Sequence, residues 1–248
     1  MLSSKEIARK WDGIAQGKAS LSMVKCLLLG ILAGVFIALG ALGSTVAQTA
    51  VGGGFGKLAG ACVFPAGLIL VVMAGAELFT GNCLMAGPAC NGKVKWTGVL
   101  KNWGLVYLGN MLGAFFMAYL TVASAFLWND ALFSAVCDIA LTKCTLPFDV
   151  MFARGVGCNI LVCGAVGMAS GADSAAGKAV CCFFPVMLFV FCGLEHSVAN
   201  MFYIPMGMLT PGGVTVTDCL LKNLLPVTLG NIIGGAGLAA VYAKVYKD

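Results

Sequence analysis

The sequence predicts an all-α membrane protein with six transmembrane helices, built as an inverted repeat of three helices. Three observations predict this fold class: long uncharged segments, a set of motifs that occurs twice, and an uneven distribution of lysine and arginine. Only 10% of the 248 residues are charged and the mean hydropathy is +0.97, whereas soluble domains carry about 25% charged residues. The chain is therefore expected to lie in a lipid membrane.

The uncharged segments are long enough to cross a bilayer, which takes about 20 predominantly apolar residues. They cover residues 26–56, 58–76, 102–129, 155–172, 179–194, 196–217 and 223–243. We treat the two segments on either side of Glu195 as one interrupted crossing, which gives six crossings in a single transmembrane domain over residues 1–248. The strongly apolar content excludes the polar–apolar alternation of a transmembrane β-barrel.

The first 25 residues carry charges for too long to be a cleavable signal peptide. They predict an amphipathic helix at the cytoplasmic membrane surface, with Ile7, Trp11 and Ile14 on one side; a solvated tail is the alternative. Six crossings place both termini on one side, and the opposite side receives only four of the 15 basic residues. Those four are Lys57, Lys143, Arg154 and Lys222. The positive-inside rule then assigns both termini to the cytoplasmic face of an inner or plasma membrane, so the net charge of +5 reflects topology and does not indicate nucleic-acid binding.

Twelve cysteines do not form a recognisable metal or redox motif. Most lie inside apolar segments, no C-x-x-C pair occurs, and the chain has a single histidine. Zinc and haem sites are therefore not expected, and no cofactor is predicted. Cys137 and Cys144 share one predicted loop, but we expect them to be free, since cysteine is used throughout as a small apolar residue.

Several motifs occur twice in the same order, which indicates duplication of a three-helix unit. "GAELFTGN" (75–82) matches "GLEHSVAN" (193–200), and "KNWGLVYLGNMLG" (101–113) matches "KNLLPVTLGNIIG" (222–234). "AGVFIALGA" (33–41) gives a weaker match to "GCNILVCGA" (157–165). We assign residues 26–127 to the first repeat and 150–245 to the second. Because three is an odd number, the two copies face opposite ways across the membrane.

In each copy the second crossing is short, begins near a proline and runs into the G-x-E segment, so the second and fifth helices are predicted to be interrupted. Non-helical backbone at membrane depth survives only beside a cavity or within protein. His196, which has no histidine counterpart in the first repeat, is the leading pore candidate, with Thr80 as its partner. The structural alternative is a neutral imidazole that only stabilises the break.

Glu77 and Glu195 form a symmetric pair. A proton relay is one interpretation, but duplication favours a structural role in which each carboxylate binds backbone N–H groups freed at its helix break. Leu78, Phe79 and Phe189 are candidates for narrow apolar constrictions.

The motifs "AELFTGN", "KCTLPF", "CNILVC" and "GLEHSVANMFYIP" closely resemble the formate/nitrite transporter family over essentially the whole chain. The resemblance implies an aquaporin-like fold and a homopentamer with one pore in each subunit. It implies small monovalent weak-acid substrates, namely formate, nitrite, hydrosulfide and, in some members, lactate. Loss of hydration near the apolar constrictions raises the pKa of such an anion, so we expect proton-coupled transport at the central histidine, with the proton supplied by water or by His196.

On matching positions, the resemblance makes His196 the central pore histidine and Thr80 its loop partner. Lys143 becomes the lysine outside the pore, and Asn159 and Asn200 become polar positions near the pathway. The constriction positions match Leu78, Phe79 and Phe189. The segment after Thr80 carries Cys83 and Cys90, which leaves the choice of substrate open.

Three alternatives remain. A hydrosulfide-selective channel would belong to the same family. An aquaporin-like pore for neutral solutes would share the inverted repeat but needs Asn-Pro-Ala motifs at the two breaks, which here read "TGN" and "VAN". A membrane enzyme would need a denser cluster of titratable or metal-binding groups than one histidine and two glutamates.

Overall fold

The computed structural model describes residues 1–124, 129–210 and 213–246. Within these residues the regular structure is helical, with a short 3₁₀ turn at Cys83–Met85 and a π-helical turn at Asp218–Leu224. The helices are α1 (Ser4–Ser20), α2 (Met23–Val51), α3 (Gly53–Val63), α4 (Pro65–Ala74), α5 (Phe79–Asn82), α6 (Ala86–Cys90), α7 (Trp96–Ala123), α8 (Asp130–Thr145), α9 (Phe148–Ser170), α10 (Ala175–Phe191), α11 (Ser197–Met208) and α12 (Leu225–Val245). The all-helical part of the predicted fold class is therefore confirmed.

Five helical stretches among the described residues are long and apolar enough to cross a membrane. They are α2, the joined pair α3–α4, α7, α9 and the π-helical turn together with α12. Helix α10 is apolar but has only 17 residues, so the predicted fifth crossing and the count of six stay predictions. The predicted end of the first repeat at residue 127, parts of the predicted segments 102–129 and 196–217, and residues 247–248 lie outside the described residues.

The N-terminal segment forms helix α1, which begins with a capping box. The Ser3 side chain accepts a bond from the Glu6 amide, and the Glu6 carboxylate accepts one from the Ser3 amide at 2.8 Å. The apolar side of α1 lies against the other helices, where Trp11 is buried and donates from its indole N–H to Ser170 Oγ at 3.2 Å. Helix α1 is thus packed onto the helical bundle.

Two long helix pairs pack through glycines in matching ways. A Cβ on Gly113 of α7 would stand 2.1 Å from the carbonyl oxygen of Ile31 in α2. A Cβ on Gly234 of α12 would stand 2.2 Å from the carbonyl oxygen of Val156 in α9. Only a residue without a side chain permits this close backbone approach. In these contacts Ile31 of α2 corresponds to Val156 of α9, which is a shift of 125 residues. The weak match of "AGVFIALGA" to "GCNILVCGA" used a shift of 124 residues and was therefore wrong by one position.

Candidate functional site

Two interruptions of the helical backbone form the frame of the site. Helices α4 and α10 are each followed by a glycine with positive φ, Gly75 (72°) and Gly193 (68°). A left-handed residue at this place ends a helix, and glycine adopts it without a steric penalty. The chain becomes helical again at Phe79 and at Ser197.

Two asparagines bind the backbone groups at these breaks. Asn110 Oδ1 accepts the amide N–H of Phe79 at 2.9 Å, and Asn231 Oδ1 accepts that of Ser197 at 2.9 Å. Each asparagine also donates to the carbonyl two residues earlier in the break, at 2.9 and 3.0 Å. The first amide groups of the new helices therefore have partners. Both asparagines belong to the repeated "KN…GN" motif.

The Glu195 carboxylate lies in a buried network with a lysine and two asparagines. Lys143 Nζ lies 2.8 Å from it, and Asn200 Nδ2 donates to it at 2.7 Å. Asn200 also donates to Asn223 Oδ1 at 2.7 Å, and Asn223 in turn donates to the backbone carbonyl of Lys143 at 2.7 Å. The network closes on itself, so every member holds its neighbour in place.

Glu77 has the same set of partners in the first half. Lys18 Nζ lies 2.6 Å from its carboxylate, and Asn82 Nδ2 donates to it at 2.7 Å. Asn82 also donates to Asn102 Oδ1 at 2.8 Å, and Asn102 donates to the backbone carbonyl of Lys18 at 3.3 Å. Helix α1 thus contributes to the first half the lysine that α8 contributes to the second.

Both networks correct the expected role of the glutamates. We predicted that the carboxylates of Glu77 and Glu195 bind backbone N–H groups at the breaks. In the structure asparagines bind those groups, and the carboxylates bind lysine and asparagine side chains. Lys18 was not predicted, although "KASLSM" (18–23) matches "KCTLPF" (143–148) at the same shift of 125 residues.

His196 and Thr80 meet between the two breaks. His196 Nε2 lies 2.8 Å from Thr80 Oγ1, and both residues are buried. His196 Nδ1 accepts the amide N–H of Ala199 at 3.1 Å, which makes His196 the N-cap of α11. A nitrogen that accepts an N–H bond carries no proton, so the ring is neutral and Nε2–H donates to Thr80. Leu78 occupies the matching N-cap position of α5.

Apolar side chains enclose this pair. The ring of Phe189 stacks on that of His196 at a centroid distance of 5.7 Å and an angle of 23°. Phe64 meets Phe189 edge-on at 5.6 Å. The other two predicted constriction residues, Leu78 and Phe79, are both buried where the chain returns to helix. The centre is thus a single polar pair within apolar surroundings.

Three buried oxygen atoms have no hydrogen-bond partner among the described residues: Asn159 Oδ1, Ser197 Oγ and Asn200 Oδ1. Asn159 lies beside the centre because its Nδ2 donates to the Thr80 carbonyl at 3.2 Å, and to that of Asn231 at 2.6 Å. Both N–H bonds of the Asn159 amide are therefore used, and its oxygen cannot be exchanged for nitrogen by a flip. A buried acceptor without a donor costs about 1–3 kcal/mol, so Asn159 Oδ1 is a buried group with unused hydrogen-bonding capacity.

A cavity of about 620 Å³ lies next to α1. Its walls include Trp11, Leu84, Cys163 and Tyr242. Cys163 also contacts the Thr80 carbonyl through its Sγ at 3.2 Å, so one residue of the cavity wall touches the backbone of the central pair. All twelve cysteines are free, including Cys137 and Cys144. In the part of the chain that the structure describes, no three histidine, cysteine or acidic side chains cluster as a metal site would require.

Comparison with known proteins gives one family over nearly the whole chain. A family profile described as formate/nitrite transporter matches residues 5–245. A probable formate transporter from Methanothermobacter thermautotrophicus is 40% identical, over 98% of this chain and 97% of that protein. A solved pentameric formate channel with formate bound is 32% identical with a TM-score of 0.81, over 90% of this chain and 96% of that chain. A solved FNT family ion channel is 26% identical with a TM-score of 0.91, over 98% of this chain and 99% of that chain.

Proposed function

The chain belongs to the formate/nitrite transporter family, and we propose that it is a proton-coupled channel for small monovalent weak-acid anions. Formate is the first substrate proposed, with nitrite and hydrosulfide next and lactate as the upper limit of size. The chain is a multi-pass membrane protein of a transporter family and is not an enzyme. The observation that carries the proposal is the buried pair of His196 and Thr80 at 2.8 Å within apolar surroundings.

The proposed architecture has six crossings and an inverted repeat. Helices α10 and α11 together make the fifth crossing and α3–α4 with α5 the second, each interrupted at its G-x-E segment. Both termini lie in the cytoplasm beneath an inner or plasma membrane, so α1 and Lys18 are at the inner mouth and Lys143 is at the outer mouth. We propose a homopentamer, since a relative of this fold is described as pentameric.

The two lysine–glutamate networks are proposed as the sites at the pore mouths where an anion binds on entering or leaving. Lys143 Nζ is shared with Glu195, so an incoming carboxylate competes for the same ammonium. Beyond this point the anion meets buried apolar side chains, where a charge at membrane depth costs at least about 2.5–3.5 kcal/mol. Loss of hydration favours the protonated form of a weak acid, so the molecule crosses the centre as the neutral acid.

The amide oxygen of Asn159, beside the Thr80 carbonyl, suits a neutral acid. It accepts a hydrogen bond from an O–H or S–H group and repels a carboxylate. Asn200 Oδ1 is an acceptor of the same kind within the Glu195 network. His196 and Thr80 provide a polar contact at the centre, where the Nε2–H of the ring is donated to Thr80 Oγ1.

The proton reaches the anion either from water at the mouth or from His196 Nε2, in which case Nδ1 takes up a replacement proton and gives up its bond from the Ala199 N–H. An asparagine at position 196 distinguishes the two routes because it cannot relay a proton.

The test is flux into liposomes containing the purified protein, beside protein-free liposomes. Formate, nitrite, hydrosulfide and lactate are each measured across a pH series, for the natural protein and for His196→Ala and His196→Asn. We expect formate and nitrite flux that rises as pH falls, and altered flux in both variants with the oligomer unchanged.

Other outcomes change the assignment. Hydrosulfide flux without formate flux identifies the hydrosulfide-selective alternative. Water or glycerol flux without anion flux contradicts the proposal. Loss of the oligomer in both His196 variants assigns that ring a structural role.

A further inference from the structure

Phe79, one of the candidate constriction residues, is held by two aromatic neighbours from α7. The ring of Tyr107 meets it edge-on, with centroids 4.9 Å apart and an interplanar angle of 81°. The ring of Trp103 meets it at 6.2 Å and also 81°. Trp103 is itself fixed, because its indole N–H donates to the Asn82 carbonyl at 2.9 Å. Phe79 is 3% exposed, so its ring can turn only if one of these neighbours moves.

Tyr107 is tied to the opposite half of the molecule. Its hydroxyl oxygen lies 2.9 Å from Thr228 Oγ1, and this bond joins α7 to α12. The two residues hold the same place in the repeated "KN" motif, 121 residues apart. The hydrogen bond therefore links matching positions of the two halves. Since an edge-on aromatic contact depends on ring orientation, the tether on Tyr107 also sets the position of Phe79.

The second half lacks this arrangement of two aromatic rings at the matching positions. Thr228 replaces a tyrosine there, and Leu224 replaces Trp103. The other aromatic candidate constriction, Phe189, instead contacts His196 and Phe64. Among the predicted constriction residues, Phe79 is the one that contacts an aromatic ring held by a hydrogen bond between α7 and α12, namely the ring of Tyr107.

We infer that Tyr107 is a positioning residue that sets the width of the pathway at Phe79 and thereby limits the size of the acid that passes. The inference rests on the proposed function. When the Tyr107–Thr228 bond is absent, the tyrosine ring swings away from Phe79 and the constriction admits larger acids. Passage of formate, the smallest substrate, depends less on this width than passage of lactate.

The experiment compares formate and lactate permeability in liposomes for the natural protein, four single variants and the Tyr107→Phe/Thr228→Val double variant. Tyr107→Phe removes only the hydroxyl, Thr228→Val removes its partner, and Thr228→Ser keeps the partner. Tyr119→Phe makes the same change on the same helix at a residue 63% exposed, so it serves as the matched control.

We expect Tyr107→Phe and Thr228→Val each to raise the lactate-to-formate permeability ratio about fivefold, the effect of losing one neutral hydrogen bond. The double variant should rise no further, because both changes remove the same bond. Thr228→Ser and Tyr119→Phe should keep the natural ratio. A merely structural role would lower both fluxes together and leave the ratio unchanged.

A ratio within twofold of the natural protein in Tyr107→Phe, with formate flux and the oligomer intact, overturns the inference and leaves the proposed function standing. Absence of formate flux in the natural protein overturns the proposed function instead. If Tyr107→Phe fails to assemble, Thr228→Val measures the same bond from the other side.

Discussion

Replacing Glu195 with glutamine tests whether the buried carboxylate holds the second break together. The substitution keeps the shape of the side chain and removes its charge. Lys143 then faces a neutral amide at the place where its Nζ now lies 2.8 Å from a carboxylate oxygen. The lysine side chain is 15% exposed and that of Glu195 6%, so water can compensate only in part.

The expected loss of stability follows from the stranded charge. Removing one partner of a buried ion pair costs about 3–5 kcal/mol. Lys143 keeps some contact with water and lies 5.5 Å from the ring centroid of Tyr203, so we expect the lower end, about 3 kcal/mol. For a chain of this length that corresponds to a fall in the unfolding midpoint of roughly 6–12 °C.

The assay is thermal unfolding of the purified oligomer in one detergent at one scan rate, followed by tryptophan fluorescence. Lys143→Met combined with Glu195→Gln removes the stranded charge, so the double variant should be more stable than Glu195→Gln alone. Lys222→Met is the control, because Lys222 pairs with Asp218 on the surface and is 62% exposed. Such pairs contribute about 0–1 kcal/mol.

Two results would refute this reasoning. One is a midpoint in Glu195→Gln no lower than that in Lys222→Met, which would mean that the pair is effectively hydrated. The other is a double variant less stable than Glu195→Gln, which would assign the stabilisation to Lys143 packing instead of to its charge. Glu77→Gln repeats the test on Lys18 in the first half.

Two further predictions concern packing and pH. Gly113→Ala places a Cβ 2.1 Å from the Ile31 carbonyl oxygen and should abolish the folded oligomer in size-exclusion chromatography. Gly104→Ala is the control on the same helix, because its Cβ meets no atom within 4 Å, and it should assemble normally. Equal yields of folded oligomer from the two variants would contradict the packing argument. A hydrogen bond from the Met1 ammonium holds the pKa of Asp173 below its ordinary value of 3.8. The Asp173 carboxylate therefore keeps its charge above pH 3.8, and its bond to Met1 weakens only as pH falls through the lowered pKa of Asp173. Because this carboxyl does not titrate between about pH 5 and 8, Asp173→Asn should leave the pH profile of formate flux unchanged in that range. A shifted profile would contradict the lowered pKa of Asp173.

The long helices were largely readable from the sequence. Apolar length predicted α2, α7 and α9. The repeated G-x-E segment begins at Gly75 and Gly193, the left-handed glycines that follow α4 and α10. That each segment interrupts a single crossing stays a prediction. The glycine of that segment is required by its positive φ, and the asparagines of the "KN…GN" motif were visible as repeats. These features are local or periodic, so sequence spacing carries them.

The partners of the buried groups were not readable in the same way. A glutamate and an asparagine both satisfy a free backbone N–H, and only the observed distances assign the N–H groups to Asn110 and Asn231. Lys18 was placed in a solvated or surface segment because the repeat was begun at residue 26. Its contact with Glu77 spans 59 residues and depends on how α1 packs, which no local pattern specifies.

Residues that occur in both halves and residues that occur in one half have different roles. The groups that hold the breaks occur twice with the same partners, because each half must stabilise its own interrupted helix. Chemistry at the centre needs only one copy. His196 stands where the first half has Leu78, and Phe79 stands where the second half has Ser197. The two matching positions thus differ in chemistry: one half brings the polar ring that Thr80 binds, and the other brings the apolar ring that we propose as a constriction. A substitution that makes the halves alike at these positions should therefore preserve the fold and change what passes.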